Sequence, residues 1–481
     1  MSTPTPPPVV APTVSDPVAR SSSAFAGGPL GRFALVGGVG WWTPVRVLIV
    51  LSAMSYGLGV ILDFSCMSNG WASPDRYEAL CYSDIPPLYV LRGFSEGYLP
   101  YLQTSPTGEV LEYPVLTGVF MQIAAWVMKP ILAVMPSADP SLAFFAVNVI
   151  LLFPFLLLAV SARARFGRAR PWDAAMIALA PTMILAATIN WDLIPIGLVM
   201  AAILLWARRH PTWAGVLLGL AVAAKFYPLV LLGPWFLLCL RAGRLKDFAK
   251  LLVGTVLAWL VVNLPFMLFA WEGWSRFYGF SRTRGQDFGS VWYAASLWGI
   301  PSIPADLLNY AATGTFLVLC VGIGALILFA PERPRLIPML FLVVAAFAVT
   351  NKVYSPQYVL WLVPLAALAR PKWRDFLIWQ AAEVMYFAAI WWYLAGYGVE
   401  EAKGMTPQWY AFFTFLHVVA TLWFAALVVR DAIYPQDDIV RTDGVPADED
   451  DPAGGCLDDA PDVLPWLKHR RPRQPEPEPQ P

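Results

Sequence analysis

The sequence is poor in charge, histidine and cysteine. Of its 481 residues, 33 are Lys or Arg, 33 are Asp or Glu, 3 are His and 5 are Cys. Charged residues make up 14% and apolar residues 58%. A soluble domain carries about a quarter charged residues, so that class is excluded. The two signs cancel to a net charge of +0, and no global positive field argues for nucleic acid. Histidine and cysteine form no cluster at metal-ligand spacing, so no metal is expected. There is no Gly-rich phosphate loop, nucleophile elbow or internal repeat, and no cofactor is expected. The first 40 residues hold no apolar run behind a basic segment, so no removable signal peptide is expected.

What is present is apolar runs. Mean hydropathy is +0.57, and the excess falls in blocks of roughly 15–23 residues, the length that crosses a bilayer core. Lipid offers no partner to backbone polar groups, so the blocks must be helices. The expectation is an all-α polytopic membrane protein of about twelve spans. They are expected at 45–62, 142–161, 173–188, 191–207, a pair inside 212–240, 248–270, 308–330, 336–350, 356–369, 374–395 and 408–429.

Segment 113–135 decides the topology. Basic loops at 163–170, 208–210, 241–250, 333–335 and 370–374 should face the cytoplasm. They all do so only if 113–135 stays at the outer surface as a juxtamembrane helix, which also suits Gln122 and Lys129 within it. Both termini are then cytoplasmic. Residues 1–42 and 433–481 have too little apolar surface to fold and are expected as disordered extensions around a transmembrane domain at 43–432. The tail carries an acidic run at 448–451 and a basic run at 468–473, either solvated or touching anionic lipid. The first outer loop (63–141), the turn at 190–192, the loop 271–307 and the turn at 351–357 share the outer, periplasmic face.

Asp84 is the leading candidate in the first loop. A carboxylate can serve as a general base, and Pro86 and Pro87 stiffen the chain beside it. The alternative is a plain helix N-cap. Asp63 and Asp75 are rivals. Arg276, Arg282 and Arg284 are interleaved with aromatics at the outer interface. An aromatic belt explains the rings; the arginines suit phosphate. Lys225 lies inside an apolar stretch, as a functional charge or a snorkelling one, and Lys352 ends a later span. Glu383 and His417 are mid-span, as a structural pair or a proton relay. Cys66 and Cys81 are fifteen positions apart in the outer loop, where an oxidising compartment favours a disulfide over two free thiols.

Several short patterns recur in a fixed order. Asp84 precedes Tyr89, Gly97, Pro100-Tyr101 and Tyr113-Pro114. Gly219-Leu220-Ala221 precedes Lys225 and Pro228-Leu229, and Ser355-Pro356 precedes Leu362-Val363-Pro364. This order resembles the GT-C superfamily of membrane glycosyltransferases, and most closely glycosyltransferase family 87, the actinobacterial polyprenol-phosphate-mannose-dependent mannosyltransferases. Two features depart from that family: after the Ser-Pro turn Gln357 and Tyr358 stand where a histidine often follows, and Asp192 stands where a plain polar residue is common. The resemblance implies a GT-C-like bundle in the plasma membrane. It implies inverting transfer of a sugar, mannose by analogy, from a polyprenyl-phosphate donor to an envelope glycolipid or glycan hydroxyl. It implies Asp84 as base, donor phosphate on Arg276, Arg282, Arg284, Lys352 and Lys225, and substrate contacts from Tyr89, Tyr101, Tyr113, Asn190, Asp192, Gln286, Tyr354 and Gln357. A lipid-linked sugar flippase or a non-catalytic envelope-assembly protein are the alternatives.

Overall fold

The computed structural model describes residues 16–25, 43–103, 111–166, 170–397, 404–442 and 451–464. The described residues form helices and turns with no strand. Six helices are long and apolar enough to cross a membrane: Pro44–Asn69, Val115–Val134, Pro140–Arg163, Leu245–Phe269, Ala305–Phe329 and Pro407–Ile433. Shorter apolar helices, Leu193–Ala207, Pro211–Ala224, Leu336–Thr350 and others, fill the interior. These inner helices are buried nearly all round, whereas Ala305–Phe329 buries few residues. A helix apolar on every face and covered on every face is a core helix.

Small residues set the tightest contact. Gly215 and Gly219 lie against the carbonyls of Leu251 and Thr255, and Gly254 against that of Thr212. A Cβ at any of the three would collide with backbone, so helix Pro211–Ala224 meets Leu245–Phe269 almost backbone to backbone.

Two expectations are corrected. Stretch 173–188 is not one span but three short pieces, Pro171–Ala174, Ala175–Ala178 and Pro181–Ala186. Pro181 brings no backbone donor and drives Ala180 out of helical geometry, to ψ 127. The tail is also not free throughout. Residues 451–464 form a strap, with Ala453, Cys456 and Leu457 buried. The acidic residues that kept the tail from having a core of its own find partners in the bundle. Asp451 accepts from the first backbone N–H of helix Leu336–Thr350 at 2.7 Å. Gly454 accepts from Trp206 Nε1 at 2.8 Å. Asp462 pairs with Arg241 at 2.8 Å and Arg333 at 3.3 Å. The basic run at 468–473, most of the acidic run, and residues 1–15 and 26–42 lie outside the described residues; between them Pro17–Phe25 is a helix, and Asp16 before it accepts from the Trp373 backbone N–H at 2.8 Å.

The bundle has two chemically different ends. At one, Arg163 and Arg170 share Asp173, Arg335 pairs with Asp438, and Arg370 with Asp375 and Asp431. Arg163 and Arg335 also donate to carbonyls at 367–369. Helix Leu336–Thr350 runs from this end to the other, where residues 351–358, 189–192 and the first loop meet. Helix Val115–Val134 starts beside those residues, and a short link joins it to Pro140–Arg163. At the start of that next helix Phe144 stacks on Tyr89 and Phe145 packs tilted against Trp71 of the first loop.

The strap can be tested by comparing its carboxylates. Arg241 is fully buried, so Asp462→Ala strands a charge and should cost about 1–3 kcal/mol, read as a lower thermal midpoint in detergent. Asp459 pairs with Arg209 in the open, and Asp459→Ala should stay within about 0.5 kcal/mol of wild type. Equal losses from both would mean the strap contributes nothing specific.

Candidate active site

The first loop is built to present Asp84. A disulfide joins Cys66 and Cys81, with Cα atoms 5.9 Å apart. Trp71 Nε1 donates to the Cys81 carbonyl at 3.1 Å. Ser83 is buried and its hydroxyl donates to the Thr188 carbonyl at 2.8 Å. Asp84 N–H donates to the Ile189 carbonyl at 2.8 Å. The backbone around Asp84 is thus pinned on both sides. Asp84 stands at the N-cap position of helix Ile85–Leu91, but its side chain caps nothing. The carboxylate instead accepts from Tyr82 Oη at 2.7 Å and lies 3.4 Å from Tyr113 Oη.

Asp84 opens into a cavity of about 730 Å³. Lys225, Arg284 and Lys352 line the same space, with Asn190, Tyr113, Gln357, Tyr358, Trp361 and the ring stack of Tyr77, Tyr82 and Trp391. Lys225 sits where helix Pro211–Ala224 ends and the chain turns extended. Its ammonium is 2.8 Å from buried Asp192 and stands 5.6 Å over the rings of Tyr113 and Tyr358. Arg284 is held by Asp287 at 2.6 Å, with about a third of its side chain left exposed. Lys352 Nζ donates to the carbonyls of Ser281 and Arg284 and to Asn309 Oδ1, at 2.8, 2.7 and 2.6 Å. Those three bonds use all its protons, so Lys352 acts as a staple for the end of helix Trp271–Thr283.

Several expected site residues lie elsewhere. Arg276 and Arg282 are exposed on helix Trp271–Thr283 and do not line the cavity. Tyr89 is buried against Phe144. Tyr101 is buried, its hydroxyl donating to the carbonyls of Tyr113 and Pro114. Gln286 donates to Ser302. Tyr354 is buried behind the cavity wall, and Asp192 reaches the site only through Lys225. Asp63 is buried, accepting from Thr188 at 2.8 Å. Asp75 accepts from Asn69 at 3.0 Å. The sequence reading missed Glu112, which lines the cavity and is neutralised by two 2.8 Å bonds from Arg92. It also missed Trp361 and Trp391, which no local signal separates from other aromatics in apolar helices.

A second cavity of about 320 Å³ adjoins the first, sharing Tyr113, Pro114, Phe226, Phe277 and Tyr278. Its remaining wall is apolar apart from Thr255 and Asn263, and includes Leu252, Val256 and Leu260 of helix Leu245–Phe269. Val256 and Leu257 of that helix are exposed.

Burial raises the Asp84 carboxyl above its usual range. The Tyr82 hydrogen bond, Lys225 and Tyr113 pull it back, and Asp192 pushes it further up. A raised acid binds its proton more tightly folded than unfolded. Its ionisation therefore costs stability as pH rises through the window between the ordinary and the raised value. Asp84→Asn should raise the thermal midpoint at pH 7 relative to wild type. That gain should vanish below the ordinary carboxylate range. A midpoint difference that is the same at pH 4 and pH 7 would contradict the shift.

No curated protein matches the chain. Residues 122–350 match the model of Glycosyltransferase family 87. The matched stretch holds Asp192, Lys225 and Arg284 and leaves Asp84 outside it. Through residues 122–350, this helical membrane protein resembles glycosyltransferase family 87.

Proposed function

We propose that the protein moves a sugar, mannose by family analogy, from a polyprenyl-phosphate donor to a hydroxyl of an envelope glycolipid or glycan at the outer face of the plasma membrane. The observation that carries this reading is the junction of two cavities. One is polar, with a carboxylate facing cations; the other is apolar, walled by a helix whose far side suits lipid. A polyprenyl phosphate has the same two halves. Its chain fits the apolar cavity, its phosphate meets Arg284 and Lys225, and its sugar lies toward Asp84.

The chemistry follows from those positions. The acceptor hydroxyl loses its proton to Asp84 as its oxygen forms a bond to the anomeric carbon. The bond from that carbon to the phosphate oxygen breaks, and its electron pair leaves with the polyprenyl phosphate. Attack opposite the leaving group inverts the configuration. A raised carboxyl is a stronger base at neutral pH than an ordinary one. Tyr82 holds the carboxylate, and Arg284 meets the charge growing on the phosphate. Phosphate is a good leaving group, so no acid is required of the protein.

The proposed orientation puts the Arg–Asp end in the cytoplasm and the cavity outside. Two features support it. Charge favours basic residues inside. Helix Val115–Val134 begins at the cavity and is linked to a helix that also begins near the first loop, which suits a segment lying along the outer surface.

Asp84→Asn keeps the size of the side chain but takes no proton. Purified variant should transfer sugar from a short-chain prenyl-phosphate mannose at least about 10²-fold more slowly than wild type, with normal expression. Near-wild-type turnover would sink the base assignment. For orientation, single cysteines at Ser137 and Lys246, both exposed, can be probed on intact cells with an impermeant thiol reagent in a background stripped of native cysteines. Ser137→Cys should label and Lys246→Cys should not. The opposite pattern would put the cavity on the cytoplasmic side.

A further inference from the structure

Glu383 and His417 lie within helices Trp373–Ala395 and Pro407–Ile433, 2% and 0% exposed. Neither reaches the cavity. Glu383 Oε1 accepts from Trp379 Nε1 at 3.0 Å and from Thr421 Oγ1 at 2.9 Å. Its other oxygen is 3.3 Å from His417 Nδ1. The imidazole stacks flat on Tyr386, with centroids 3.9 Å apart and planes 9° apart, and meets Tyr354 at 4.5 Å. Apolar side chains could fill this space without burying a carboxylate, often at no loss of stability. The Glu383 carboxylate lies 3.3 Å from one edge of the imidazole, and the flat face of that ring is what Tyr386 rests on.

From Tyr386 the contacts run to the cavity wall without a gap. Tyr386 Oη donates to the Tyr354 carbonyl at 3.0 Å. Tyr354 N–H donates to the Phe288 carbonyl at 3.2 Å, and Asp287 N–H to the Lys352 carbonyl at 2.9 Å. These two bonds lace segment 287–288 to segment 352–354. Gly289 lies at φ +78, where a Cβ would strike the Tyr354 carbonyl and Tyr386 Oη. Its N–H donates to Tyr410 Oη at 2.8 Å. The segment so held carries Asp287, whose carboxylate aims Arg284 into the cavity.

We infer that Glu383 and His417 are positioning residues for the guanidinium of Arg284, acting through Tyr386 and the laced segments 287–288 and 352–354. The inference rests on the reading of Arg284 as a phosphate contact. Its test therefore measures binding rather than transfer. Full-length protein in nanodiscs is titrated calorimetrically with farnesyl phosphate, which carries a prenyl chain and a phosphate but no sugar. His417→Phe keeps a stacking ring but loses Glu383, and should weaken binding about five- to tenfold, the scale of one charge-assisted contact. Tyr386→Phe removes a single hydroxyl, so it reads the same coupling even if His417→Phe fails to fold, and it should weaken binding in the same direction. Glu383→Gln keeps the bonds from Trp379 and Thr421 but sets an amide in place of the carboxylate oxygen beside Nδ1, and should weaken binding in the same direction. Arg284→Ala should weaken binding by itself, and adding His417→Phe or Tyr386→Phe to it should cost nothing more. Wild-type affinity in Tyr386→Phe, or losses that add in the double variants, would overturn the positioning role alone. A wild type that does not bind farnesyl phosphate would bring down the phosphate site and this inference with it.

Discussion

A lysine and an aspartate removed from water have to find each other, and the outer half of the bundle is arranged around that obligation. Lys225 and Asp192 come from different helices and meet at 2.8 Å where one helix ends and another begins. An unpaired charge in so apolar a setting would cost several kcal/mol. The pair therefore ties the 189–192 turn to the break at Lys225. The 189–192 turn in turn holds the backbone of Asp84 through Ile189, and the rings of Tyr113 and Tyr358 close over the ammonium. One ion pair thus sets the distance between the first loop, the centre of the bundle and the 351–358 turn.

The two ends of the bundle handle charge in opposite ways. At the Arg–Asp end every guanidinium described above has a carboxylate, and most are buried. That end is saturated and suits a closed structural seam. At the cavity end, Asp84 is held by hydroxyls rather than by a direct cation, and Arg284 is only partly covered. Charge left incompletely matched is what a site needs in order to meet a ligand. Burial makes Asp84 expensive to ionise, a cost that it shares with Asp451 of the strap.

Much of this was legible in the chain. Apolar blocks of span length mark most of the helices, because lipid forces length and composition together. Asp84 stood out because it lies just before two stiffening prolines, Pro86 and Pro87, and Lys225 because a charge inside an apolar stretch is rare. What escaped was set by distance in sequence. Nothing near Lys352 says that its three protons belong to Ser281, Arg284 and Asn309. Tyr89 and Tyr101 look like ligand contacts beside Asp84, yet packing and backbone carbonyls claim them. Trp391 joins Tyr77 and Tyr82 from more than 300 positions away in the sequence. The break at Pro181 was visible as a residue but hidden by the apolar run around it. The tail misled because its own composition cannot build a core, while its acids find one ready made.

That tail has a consequence for how the molecule comes into being. Residues 451–464 follow the last long helix, Pro407–Ile433, so they leave the ribosome after every other element described here. Until then Arg241 and Arg333 lack Asp462, Trp206 lacks the Gly454 carbonyl, and helix Leu336–Thr350 lacks the carboxylate at its first turn. The bundle is left with an open seam through most of its synthesis. Residues 451–464 work as a closing clasp, and a message cut short before them yields a protein with its helices made and its seam unfastened.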